Sequence, residues 1–218
     1  MTEPTPPSAL EDRAQAGARL FSPSVARNWR PIRDVFLKHM PASGAILELG
    51  GGTGEHAVRL AEALPGAQWR TGDPDDKARA SIAAWIETAQ LPNLSGPHAI
   101  ATTDADWGVD DLAPLAGMVS VNMIHIAPFD AARGLFAGAG RLLGDGDKLF
   151  LYGPFSRRGA HTAPSNEAFD RSLKARNPAW GVRDLEQDIA PLAQEAALRL
   201  ETIVEMPANN LAVIFVKD

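Results

Sequence analysis

The sequence predicts an α/β fold: a seven-stranded, mostly parallel sheet with helices on both faces and an antiparallel hairpin at its C-terminal end. Three observations carry this expectation. Apolar, β-type runs alternate with helical patterns along the chain, the arrangement of parallel strands joined by crossover helices. The last two runs, 200–206 and 211–216, are separated only by Pro207-Ala208-Asn209-Asn210, a joint short enough for a hairpin. A hydrophobic share of 45% over 218 residues suits one compact domain with a real core and leaves little room for two.

Residues 32–40 read as a short helix entered through Pro31 and stopped before Pro41. Residues 45–49 form an apolar strand, followed at once by Gly50-Gly51-Gly52-Thr53-Gly54. Ala57, Leu60, Ala61 and Leu64 recur at helical spacing, and Pro65-Gly66 ends that helix. A second strand covers 67–71, and a helix over 76–90 places Ile82, Trp85, Ile86 and Ala89 on one side. Residues 98–102 and 118–124 give the third and fourth strands. The stretch 131–143 is helical in pattern. Gly134, Gly138 and Gly140 each weaken it by roughly 1 kcal/mol relative to alanine, but permit close packing on a sheet. Gly144-Asp145-Gly146 reads as a turn, 148–152 as a strand, and 166–175 and 185–196 as helices.

Composition narrows the function. The absence of cysteine excludes a disulfide framework, a thiolate-held iron–sulfur cluster, a Cys-rich zinc site and a cysteine nucleophile, and fits a reducing, cytoplasmic setting. With 27 acidic against 21 basic residues the formal charge is −6, which disfavours a partner as long and anionic as nucleic acid. His39, His56, His98, His125 and His161 show no ligand spacing, so no metal site is expected. Residues 1–20, opening on a Pro-rich stretch without a secretory pattern, read as a flexible segment, and no apolar run is long enough to span a bilayer. Residues 21–218 read as a single domain, with 21–44 as a candidate N-terminal lid.

The strongest local signal is Glu48-Leu49-Gly50-Gly51-Gly52-Thr53-Gly54, which leaves a strand and opens a helix. Glycines there allow a tight turn and close backbone approach to a ligand. A ligand-free turn is the bland alternative to a nucleotide-type cofactor site. The spacing is neither the dinucleotide fingerprint nor a triphosphate loop, and a carboxylate at Glu48 suits a cationic ligand group better than a pyrophosphate. Asp73 follows Gly54 by nineteen residues at the end of the second strand, placed to accept both hydroxyls of a ribose. Asp75 competes for that role, and a plain surface turn is the alternative. In the ribose role, Asp73→Ala would weaken cofactor binding and hardly alter the cofactor-free melting temperature.

Glu48-x-Gly50-x-Gly52-x-Gly54 followed by Asp73 resembles the class I S-adenosylmethionine (SAM)-dependent methyltransferases. The resemblance is closest to a family of small methyltransferase-like proteins and runs from about Phe21 to the C-terminal end. It is carried by Ser24-Val25-Ala26-Arg27-Asn28-Trp29-Arg30, residues 46–57, Asn122-Met123-Ile124-His125-Ile126-Ala127-Pro128, Tyr152-Gly153-Pro154-Phe155, residues 162–169 and Glu205-Met206-Pro207-Ala208-Asn209-Asn210-Leu211. It implies a Rossmann-like seven-stranded sheet, SAM as cofactor, and a loop that passes the methionine part of that cofactor. By position it also implies Asp104 at the adenine amine, Trp107 covering the ring, and Asn122 beside the sulfonium. A helix-cap role for Asp104 and a packing role for Trp107 stand as the alternatives.

On the acceptor side, His125 is a candidate base or orienting group, or a satisfied histidine in a loop. Tyr152 offers a hydroxyl at the rim, or a buried hydrogen bond. Asn28, Trp29 and Arg30 are candidate lid and substrate residues, with Trp29 as an anchor in the bland reading. Asn166, Asn209 and Asn210 are candidate recognition amides, though turn chemistry explains part of the Asn pair. The function implied is methyl transfer to a small polar acceptor. A nucleic-acid or protein methyltransferase and a non-catalytic SAM-binding protein are the alternatives. Nothing in the sequence fixes the oligomeric state.

Overall fold

The computed structural model describes residues 13–218. Ala14–Ala16 (β1) and Arg19–Phe21 (β2) pair antiparallel, so this part of the segment expected to be flexible is a hairpin. Its seat explains the difference. Ser81 Oγ accepts from Leu20 N at 2.8 Å, Trp85 Nε1 donates to Leu20 O at 3.0 Å, and Phe21 packs edge-on to Trp85 with ring centroids 5.1 Å apart. The first twelve residues of that segment lie outside the described residues.

Helix α1 (Pro23–His39) begins nine residues before the start read from the sequence. Ser22 caps it, accepting from Val25 N, and Pro23 occupies the first turn; this is a stronger start than Pro31, which lies inside the helix. Then follow β3 (Gly44–Leu49), α2 (Glu55–Ala63), β4 (Ala67–Gly72), α3 (Asp76–Ala89), β5 (Leu94–His98), β6 (Leu115–Val121), α4 (Phe129–Leu142) and β7 (Leu143–Gly153). A small antiparallel pair, β8 (Ser156–Arg157) and β9 (Ala160–His161), precedes α5 (Pro164–Arg176). A π-helical turn at Leu185–Ile189 runs into α6 (Ala190–Glu195), and β10 (Leu198–Met206) and β11 (Asn210–Lys217) close the chain.

The seven-stranded sheet has the order β10-β11-β7-β6-β3-β4-β5. β7, β6, β3, β4 and β5 run parallel, while β11 is antiparallel to both β7 and β10. This is the predicted mostly parallel sheet closed by a hairpin. β5 lies four residues earlier than expected, and Gly96-Pro97 sits within it; a proline without a backbone donor is accommodated because β5 is an edge strand. The Gly144-Asp145-Gly146 turn is a loop-out inside β7: Leu115 pairs with Leu143, but Gly117 already pairs with Lys148.

Two apolar clusters fill the two faces. One joins α4 and α6 to the sheet through Leu135, Phe136, Leu192 and Phe215. The other joins α1 and α2 through Ile32, Phe36, Leu60 and Trp69, with Phe36 5.2 Å from Phe150 and 5.6 Å from Trp69 between ring centroids. α1 is thus docked by its apolar stripe along the sheet, and only its first turns reach the rim. The parallel strands present their carboxyl ends to that rim. The order switches between β3 and β6, where such sheets bind ligands. Among the described residues no helix is long and apolar enough to cross a membrane.

Candidate cofactor and acceptor site

The glycine loop turns sharply at the end of β3. Gly50, Gly52 and Gly54 have φ of 72°, 58° and 90°, a region that side chains other than glycine seldom adopt. The loop is pinned from below: Gly50 N and Gly51 N both donate to Gly72 O at 3.0 Å, and Gly54 N donates to Gly51 O. A Cβ on Gly50 would meet Met123 Cγ at 2.6 Å, on Gly51 Thr71 Oγ1 at 2.5 Å, and on Gly54 the Ile82 backbone at 2.9 Å. At Gly52 the nearest atom would be Gly50 O at 3.9 Å. The loop is therefore packed against protein at three glycines and open at the fourth.

Asp73 clamps this opening. Its Oδ2 accepts from Gly52 N at 3.0 Å and its Oδ1 from Asp75 N at 2.9 Å. Burial raises its pKa, against the pull of those two backbone donors and of Arg13. Asp75 caps α3 by accepting from Ala78 N at 2.8 Å, which engages the competing carboxylate elsewhere.

Glu48 lies beneath the loop rather than along its open side. It is 2% exposed, and its Oε2 accepts from Thr71 Oγ1 at 2.7 Å. Burial pushes its pKa up to about 7. A folded-state pKa above the ordinary 4.5 means that the folded protein holds this proton more tightly, so stability present at low pH is lost as pH rises through 7. Glu48→Gln retains an acceptor for Thr71 without the charge. Thermal melts across pH should show the variant gaining on the wild type as pH climbs from 4.5 past 7. A constant difference would mean that Glu48 is ionised throughout.

The adenine-side expectations divide. Asp104 is exposed; its backbone N–H donates to Ala101 O, and its carbonyl accepts from Trp107 Nε1 at 3.0 Å. Trp107 turns inward and is 5% exposed, against α4, where a Cβ on Gly138 would come within 2.0 Å of its ring. Trp107 packs in the core, not over an open site, and Gly138 of α4 makes room for its indole.

On the acceptor side, β6 ends at Val121, and Asn122 follows it, with a φ of 61° that turns the chain and an N–H that donates to Tyr152 O at 2.8 Å. His125 follows in a tight turn, fully buried, with its Nδ1 accepting from Arg183 N at 3.2 Å and its ring edge-on to Phe155. Burial, reinforced by Arg183, drives its pKa down to about 3. The expected base is therefore a neutral ring inside the protein, with one nitrogen engaged and Nε2 facing Gly153.

Tyr152 is buried at the end of β7, where burial raises its pKa and Asn28 opposes that rise; Asn28 Oδ1 lies 3.0 Å from His56 Nε2. Trp29 and Arg30 turn away from Asn28, as a helical advance of about 100° per residue requires. The Trp29 ring is flanked by the guanidinium groups of Arg30, Arg33 and Arg59 at 4.5, 5.3 and 5.2 Å, on the outer α1–α2 surface. The three-residue cluster read as one substrate group thus splits, with Asn28 alone at the rim.

The remaining amides hold the β10–β11 turn. Asn166 Nδ2 donates to Thr162 Oγ1 at 3.0 Å and to Asn209 O at 2.8 Å; Asn209 Nδ2 donates to Ser165 Oγ; Asn210 Nδ2 donates to Pro207 O and Ala208 O. Ala208 and Asn209 both have φ of 58°, and these bonds to α5 sustain that left-handed backbone. Asn166 and Asn210 each use both amide hydrogens within the protein, while Asn209 Nδ2 uses one of its two. Leu211 pairs with Gly153, which sets the turn beside Tyr152.

Sequence reasoning passed over His56, Met123 and Arg183. Arg183 ties the Met123–His125 turn down through Ile124 O at 3.0 Å and Ala127 O at 2.7 Å. A signal for His56 was present: it stands four residues before Leu60, on the stripe that α2 buries. Among the described residues no group of three or more His, Cys, Asp or Glu is arranged to hold a metal.

This sheet order, with its glycine loop at the end of the first long parallel strand, defines the class I SAM-dependent methyltransferase fold. Residues 19–217 match the family described as "Protein of unknown function (DUF938)", and the chain belongs to it. Solved structures agree on the fold. An O-methyltransferase family protein from Burkholderia thailandensis superposes with a TM-score of 0.74 at 14% identity, covering 89% of this chain and 57% of that one. Human N-acetylserotonin methyltransferase in complex with SAM gives 0.69 at 13% identity, covering 89% and 52%. A methyltransferase of calicheamicin biosynthesis in its SAH-bound form gives 0.68 at 14%, covering 89% and 54%. The chain spans little more than half the length of each of these proteins.

Proposed function

We propose that the protein binds SAM across the Gly50–Gly54 loop and transfers its methyl group to a small polar acceptor. The observation that carries this reading is the loop itself: closed by protein contacts at Gly50, Gly51 and Gly54, open at Gly52, and fastened there to Asp73 at the strand-order switch. The residues fit the cofactor. The Gly50–Gly54 backbone would lie along its methionine part. Each Asp73 oxygen accepts one backbone hydrogen, and an ionised carboxylate has further lone pairs for the two ribose hydroxyls. The exposed Asp104 is the candidate for the adenine amine, and Asn122 borders the methyl side. When bound, SAM supplies an activated methyl group on a sulfonium.

What remains for the protein is alignment. Holding the acceptor atom in line with the methyl group supplies much of the acceleration without a base. His125, buried and neutral, is better suited to fixing the turn after β6 than to removing a proton. Asn28, Tyr152 and the Asn209 turn bound the acceptor side, and their mixed polar lining favours a small polar molecule. Arg30, Arg33 and Arg59 lie around Trp29 on the outer α1–α2 face. SAM should bind at one site per chain, and S-adenosylhomocysteine (SAH) should accumulate when a panel of small polar acceptors is supplied. Binding without SAH release from any acceptor would favour the non-catalytic, cofactor-binding reading.

A further inference from the structure

Thr53, which stands between Gly52 and Gly54 in the glycine loop, is held from two sides by the N-terminal segment. Ser81 and Trp85 lie four apart on α3 and so share a face. Leu20 spends both of its backbone groups on that face: its N–H donates to Ser81 Oγ at 2.8 Å, and its carbonyl accepts from Trp85 Nε1 at 3.0 Å. A serine hydroxyl has one hydrogen, and Ser81 gives it to Thr53 O at 2.7 Å. Two residues on, Ser22 N donates to Glu55 Oε2 at 2.7 Å, and the same oxygen accepts from Thr53 Oγ1 at 3.0 Å. Ser81 and Glu55 therefore each bridge the 20–22 backbone to Thr53, one through its carbonyl and the other through its hydroxyl. Ser81 and Thr53 are both buried, at 0% and 4% exposed, so water is a poor substitute for either bond.

We infer that residues 19–22 form a strap that sets the shape of the glycine loop, with Ser81 and Glu55 as its positioning residues, so that cofactor affinity depends on the strap being seated. The lever is short. Thr53 directly follows Gly52, the open position of the loop, so a shift of Thr53 is passed straight to the Gly52–Thr53 peptide. The strap also comes off at less cost than unfolding. A two-stranded hairpin as short as β1–β2 is at best marginally stable on its own in water. It stays seated through the bonds to α3, through Phe21 against Trp85, and through the Arg19 guanidinium, which lies 5.7 Å from the Phe21 ring centre and 5.2 Å from that of Trp85. Linkage makes the effect reciprocal: a ligand that requires the ordered loop also holds the strap down. The hold of strap on loop rests on these hydrogen bonds alone; the cofactor it serves rests on the methyl-transfer reading.

The first test needs no cofactor, so its failure is separate from failure of the methyl-transfer reading. Amide hydrogen exchange followed by NMR reports the strap at Leu20 and Ser22 and the loop at Gly52 and Gly54, whose N–H groups donate to Asp73 and to Gly51 O. Trp85→Phe keeps a ring against Phe21 and removes the donor to Leu20 O, a bond to the strap and not to the loop. Exchange at the strap should quicken by roughly 3- to 10-fold, the worth of one hydrogen bond, and exchange at Gly52 and Gly54 should quicken with it. With both bridges cut, in Ser81→Ala/Glu55→Ala, the same Trp85→Phe change should still quicken the strap but leave the loop at the rate of that double variant. Should Trp85→Phe fail to fold, Arg19→Ala uncovers the two rings from the strap side and serves in its place. A loop that does not respond to Trp85→Phe or Arg19→Ala in the otherwise wild-type chain, or responds equally with the bridges cut, would overturn the proposal. Calorimetric titration with SAM reads the second half: affinity should fall by the factor seen at Gly52. A loosened loop with unchanged affinity would overturn the dependence of the cofactor on the strap. No SAM binding by the wild type would instead refute the methyl-transfer reading and leave the strap's hold on the loop standing.

Discussion

Asp73→Ala should weaken SAM binding by about 10- to 100-fold, since hydrogen bonds to a charged acceptor are worth roughly 1.5–3 kcal/mol. It should also lower the melting temperature of the cofactor-free protein. The second effect runs against the expectation from sequence, in which Asp73 served the ribose alone. The structure makes the carboxylate part of the loop: Gly52 N and Asp75 N both donate to it, and alanine leaves the two donors without that partner. Asp73→Asn separates the roles. Its carbonyl oxygen retains one of the two backbone bonds, so stability should fall less than with alanine, while ribose recognition by a charged acceptor is still lost. Calorimetric titration with SAM and a thermal melt without it measure the two effects. A lower melting temperature with unchanged SAM affinity would make Asp73 purely a loop clamp.

Gly134→Ala should destabilise the protein, although alanine in a helix interior is ordinarily better than glycine by roughly 1 kcal/mol. α4 crosses the chain after β5 so closely that a Cβ at 134 would lie 1.7 Å from Thr102 O. That obstacle is backbone, and it is tied to the same helix by the bond from Thr102 Oγ1 to Ala131 O at 3.0 Å. Neither side can yield alone. Overpacking of this kind costs about 1–3 kcal/mol, occasionally more. For a chain of this size a loss near the upper figure lowers the melting temperature by roughly 5–10 °C. A neutral or stabilised variant would show that α4 is not seated on the Thr102 segment.

The three glycines of α4 illustrate what the sequence made legible and what it did not. As breaks in a helical pattern they announce close packing, and the structure supplies it; the partner of Gly138, the Trp107 ring, was not legible. A tryptophan in a loop carries no period to say whether it faces ligand or core, and contact with a helix thirty residues later decides the matter. Helix starts were similarly local. Ser22-Pro23 was a readable cap, but the stretch after it lacks a clean apolar period because Asn28 interrupts the stripe. That interruption was itself the clue, since a polar residue on a docked face is more informative than an apolar one.

The proposed cofactor half of the candidate site was the more legible half. It is built from backbone, and a backbone site must show itself as glycines and one carboxylate at fixed places along two adjacent strands. The proposed acceptor half draws on side chains from α1, α2, β7 and the β10–β11 turn. No spacing in the sequence links Asn28 to His56 or Tyr152. His125 looked apt because it follows a strand end, and only the packing of Arg183 and Phe155 around it shows a ring withdrawn from the rim.

Titration calorimetry with SAM, SAH and NAD tests the central claim most directly. The loop is fastened to Asp73, is open at Gly52, and carries a buried acidic residue beneath it rather than the spacing of a dinucleotide fingerprint. The account predicts binding of SAM and SAH at one site per chain, with NAD giving no comparable heat. Tight NAD binding without a response to SAM or SAH would contradict it.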